Sequence, residues 1–97
     1  MNKPPQYIDN VKVLEWASSG DVPFGVVNGQ GGEIAATIYG LAICQYENSS
    51  KVYRFSCDKN WETEQDSEYA SIAEAKEELP KQYKLAEAQW QHYESHT

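Results

Sequence analysis

The run from Ile34 to Tyr46 constrains the fold more than any other part of the chain. It is rich in β-branched and aromatic residues and reads as a strand. Successive residues of a strand point to opposite faces. One face carries Ile34, Ala36, Ile38, Gly40, Ala42, Cys44 and Tyr46, and its small residues let a helix approach closely. The other carries Ala35, Tyr39, Leu41 and Ile43. A strand apolar on both sides needs a cover on each. One helix supplies one cover. The other comes from the N-terminal segment, a second subunit or a partner protein, because exposed apolar patches mark interfaces.

The residues after this run form a hairpin with it. Glu47 to Lys51 turns the chain and Val52 to Cys57 returns as the next strand. Tyr53, Phe55, Cys57 and Trp61 share one parity, which reads as the buried face. Arg54, Ser56, Asp58, Asn60, Glu62 and Glu64 share the other. Asp58 to Asn60 turns towards one more short strand around Trp61. Upstream, Val11 to Trp16 reads as a first strand, with a short helix as the alternative. Phe24 to Val27 suits an edge strand after Pro23. Asn28 to Gly32 suits a hairpin loop. Residues 1–6 form a flexible arm, kept out of regular structure by Pro4 and Pro5.

Ser71-Ile72-Ala73-Glu74 has the spacing of a capping box. Ile72, Ala75, Leu79, Tyr83, Ala86, Trp90 and Tyr93 then recur at steps of three and four, which predicts a helix over 71–93. Pro80 bends this helix, or opens a second one. The expected fold is α+β: one domain over 1–97, with an antiparallel sheet of four to five strands against one long, Pro-bent C-terminal helix.

Charge narrows the function classes. The 97 residues hold 15 acidic and 8 basic side chains, a net of -7, with Arg54 the only arginine. Such a surface repels a phosphate backbone, so nucleic acid is not an expected partner. It favours encounter with basic proteins. No apolar run is long enough to span a bilayer, and no signal peptide is evident, so a cytoplasmic location is expected.

No motif for catalysis, cofactor or metal emerges. Asp58, Asn60, Glu62, Glu64 and Asp66 fall at calcium-loop positions, but Thr63 replaces the required glycine and Tyr69 the bidentate glutamate. A solvated strand face or an acidic docking surface explains them without a metal. His92 and His96 sit four apart but lack a third ligand. With no other histidine, a His-based triad is excluded. Cys44 and Cys57 miss each other by two residues in the expected register, so they read as core thiols. Gly29, Gly31 and Gly32 lack the following helix that a phosphate cradle needs. Trp16, Trp61 and Trp90 read most simply as core, with Trp61 at a rim as the alternative.

The segments Tyr53 to Glu62, Ser71 to Lys76 and Leu79 to Tyr83 resemble small bacterial proteins of the integron-cassette or immunity-like type, over about the second half of the chain. For an immunity-like protein the resemblance implies a cytosolic, acidic protein that masks a basic toxin. The expected function is therefore a non-enzymatic protein-binding module. Glu62, Glu64 and Asp66 meet a basic site, and Tyr53 or Trp61 anchors. The alternatives are a small-molecule-binding or enzymatic homodimer with a pocket between sheet and cover, and a self-associating protein with no other partner.

Overall fold

Tyr39 breaks the central run in two. In the computed structural model, which describes residues 3–94, its N–H donates to the Cys57 carbonyl at 3.0 Å and its own carbonyl accepts from Ser19 N at 3.0 Å. The part before it, β4 (Ile34–Ile38), pairs with β3 (Gly25–Asn28) in a separate two-stranded ribbon. The part after it, β5 (Gly40–Gln45), lies at the centre of the main sheet.

That sheet is antiparallel throughout. It runs β1 (Tyr7–Ile8), β2 (Val11–Ser18), β5, β6 (Val52–Cys57) and β7 (Thr63–Tyr69), with β8 (Gln91–His92) also on β2. The expected hairpin forms, with Cys44 opposite Tyr53 and Gly40 opposite Cys57. This register differs by two residues from the expected one and moves the thiols four positions apart along the ladder. Both cysteines are free and buried.

The expected long helix over 71–93 does not form. The helical part is α1 (Ile72–Glu77) followed by α2 (Leu79–Gln82), with Pro80 in the first turn of α2. The cap forms in part as read: Ser71 Oγ accepts from Glu74 N at 3.1 Å, while Glu74 Oε2 accepts at 3.1 Å from Ala70 N, one residue before the N–H that a capping box uses. The helix stops because Tyr83 is extended (φ -130, ψ 113). Beyond it the chain is a strap along the sheet, tied by Leu85 N to the Phe24 carbonyl and by Tyr93 N to the Leu14 carbonyl. Ala86, Ala88 and Trp90 are half-buried while Glu87, Gln89 and Gln91 are exposed. That is a period of two. Ala86 and Trp90 fit a helical stripe as well, which is why the sequence reads as helix. The fold is thus mainly β, with eight strands and a short helical stretch among the described residues.

Two faces bury two cores. Under the helices and the strap lie Glu15, Ala17, Leu41, Ile43, Val52, Arg54 and Ser56. The opposite face buries Val13, Ala42, Cys44, Phe55 and Cys57 with Ile8, Val11 and Trp61. Residues 3–6 run along β2 outside regular structure: Pro4 is fully buried and the Gln6 carbonyl accepts from Val13 N. For β5 the second cover is therefore intramolecular. Among the described residues nothing covers the distal end of β4, and Ile34 and Ala35 are exposed.

Arg54, read as solvent-facing, is buried instead. Its guanidinium donates to the Ala75 carbonyl and to Gln82 Oε1, and lies 5.0 Å from the Tyr69 ring centroid. A cation at the C-terminal end of α1 also complements the helix dipole. Burial lowers its pKa from the ordinary guanidinium value. The Tyr83 hydroxyl lies 2.8 Å from Ser56 Oγ and 3.0 Å from Gln65 Oε1, and Gln82 Nε2 donates to the same Gln65 oxygen at 3.2 Å. A continuous polar network therefore fastens α1 and α2 to β6 and β7.

Candidate partner-binding face

The acidic run after Trp61 becomes β7, an edge strand paired on one side only among the described residues. Alternation along it is strict. Thr63, Gln65, Ser67 and Tyr69 are half-buried, while Glu64, Asp66 and Glu68 are exposed. The register places Asp66 opposite Phe55 and Glu68 opposite Tyr53. The carboxylates therefore share the helix-free face with the aromatic residues of β6. Tyr53 packs edge-on against Tyr46 at 5.3 Å, and Tyr46 is 47 % exposed. An acidic strip thus borders a tyrosine strip. Lys51 Nζ reaches Glu68 Oε1 at 3.0 Å, but both side chains are exposed and such a pair adds little.

Of the expected contact residues, Tyr53, Glu64 and Asp66 come together on this face. Glu62 lies just outside β7, in the turn after Asp58; it is exposed, and its N–H is held by Asp58 Oδ1 at 3.0 Å. Trp61 is not in a strand. It has φ 61 and is 7 % exposed, edge-on to Trp16 at 6.1 Å. Its indole belongs to the core, which does not fit the anchoring role expected of it. Tyr46 was missed because it stands at the strand end, where parity alone does not show that it meets Tyr53.

Among the described residues no group of His, Cys, Asp and Glu is placed to hold a metal ion. His92 pairs in β8 opposite Glu15, and His96 lies outside the described residues. Burial pushes the Cys57 thiol up to about 12 and raises Cys44 further, so neither is an activated nucleophile. Among the described residues no helix is long and apolar enough to cross a membrane.

A concavity of about 560 Å³ lies between α2 and the strap. Leu79, Tyr83, Leu85, Ala86 and Trp90 line it, with Lys76 and Lys84 among its polar groups. Lys76 is engaged: its ammonium lies 2.7 Å from Glu15 Oε1 and 5.7 Å from the Trp90 ring centroid.

Comparison with known protein families, with curated proteins and with solved structures gives no match to this chain.

Proposed function

We propose that the chain is a non-enzymatic protein-binding module, immunity-like in mode, that masks a basic partner in the cytoplasm. The observation that carries this reading is the β7 edge, where Glu64 and Asp66 stand exposed beside Tyr53. An open edge offers unpaired backbone groups to an incoming segment. Like charges on Glu64, Asp66 and Glu68 keep a second copy from pairing there. A segment rich in lysine or arginine meets no such barrier and gains steering from the net charge of -7. Tyrosines beside the strip supply contact area at low entropic cost.

The test is capture from a host lysate at low salt, with wild type beside Glu64→Lys/Asp66→Lys. Both positions are exposed, so the fold is retained. Wild type retains a basic protein that salt releases, and the double variant loses it at least tenfold. Equal capture by both overturns the assignment of this edge.

The groove between α2 and the strap supports a second reading, a small-molecule site. Its volume lies in the usual range for ligand pockets and its lining is mostly apolar. A ligand there would raise the Tm of the wild-type chain and not that of Ala86→Trp, at a half-buried position that lines the groove.

A further inference from the structure

The β3–β4 ribbon differs from the rest of the surface. Its base is fixed: Phe24 and Ile38 are fully buried, and Gly25 is bare because the Tyr83 ring lies where a Cβ would be, at 2.7 Å. Its distal half is uncovered. Val26 is 37 % exposed, Ile34 is 63 % exposed, and Ala35 is exposed as well. Glu33 is the one charged residue between Val22 and Ile38, in a chain of net charge -7. Beyond the base, β3 and β4 pair only with each other among the described residues. Neither strand carries the lysine or proline that commonly guards an open edge. Val26, Val27, Ile34, Thr37 and Ile38 are β-branched and favour further pairing.

Charge decides what seats on this ribbon. Two copies repel each other over most of their surfaces, and least where ribbon meets ribbon. A basic partner is drawn to Glu64 and Asp66, since the ribbon offers it only Glu33. We propose that the β3–β4 ribbon is a self-association surface, on which a second copy of the chain seats its own ribbon about a two-fold axis. The contact is isologous, so each copy supplies the same residues. Val26, Ile34 and Ala35 become buried against the same residues of the second copy. Added salt screens the repulsion between copies and tightens this contact. That sign is opposite to the one expected for a basic partner at β7.

Sedimentation equilibrium of the full chain, from micromolar to millimolar concentration, tests this. The mass doubles with concentration, and does so at lower concentration in high salt. Val26→Lys/Ile34→Lys stays monomeric with an unchanged circular dichroism spectrum, whereas Glu64→Lys/Asp66→Lys dimerises at least as well as wild type. Hydrogen exchange on the wild type gives a readout that needs no variant: amides in 25–28 and 34–38 slow in proportion to the dimer fraction. A wild-type chain that is monomeric at millimolar concentration overturns the proposal. So does a dimer that survives the lysine pair, or one whose exchange protection lies elsewhere.

Discussion

Arg54 takes its charge into the interior, with a carbonyl and an amide oxygen as hydrogen-bond partners and no carboxylate among them. Its removal leaves the Ala75 carbonyl and Gln82 without their donor, beneath a helix. Arg54→Ala should therefore lower the unfolding free energy by about 3 kcal/mol, the scale of a lost buried polar contact plus a cavity. Arg54→Lys should recover less than half, because a single ammonium cannot span both acceptors. Urea denaturation measures both, and a loss under about 1 kcal/mol for the alanine variant contradicts this role. The thiols give a pH prediction. Burial raises Cys44 and Cys57 above their ordinary value of 9.0, so the unfolded chain loses these protons first as pH rises. Stability is then full below pH 9 and falls above it, by about 1.4 kcal/mol per pH unit for each thiol that ionises only in the unfolded state. Cys44→Ala/Cys57→Ala should flatten the slope between pH 9 and 10.5; an unchanged slope assigns it to other groups.

At the scale of elements, strands were more legible than the helix. The apolar run of β5 has one physical reading, because both faces of that strand are buried. The stripe from Ile72 to Tyr93 has two. Positions 86 and 90 satisfy both helical spacing and alternation, and tertiary cover decides between them. Arg54 was misplaced for a related reason: even residues of β6 and odd residues of β7 look polar, yet the helices lie on them. Pro80 is not what ends the helix, since it sits in the first turn of α2, where a missing N–H costs little. Pro80→Ala should therefore leave the strap extended. Circular dichroism at 222 nm should change by no more than a residue or two of helix; a gain of a dozen helical residues would show that proline, and not packing, sets the boundary.

For the whole molecule, charge divides the surface. The edge of β7 carries exposed carboxylates, whereas the β3–β4 ribbon is nearly uncharged. The acidic strip was visible in the sequence as a run, but its neighbours were not, since only the β6–β7 register brings Asp66 to Phe55 and Glu68 to Tyr53. Trp61 could not be assigned from parity because a turn with positive φ, not a strand, turns it into the core. The most direct test of the binding reading is a hydrogen-exchange footprint of the full chain with and without the basic protein that it captures. The account predicts protection of the amides of Thr63–Tyr69, lost as salt is raised. Protection confined to the helical stretch and the strap at 79–90, with β7 unchanged, would contradict it and move the site to the groove.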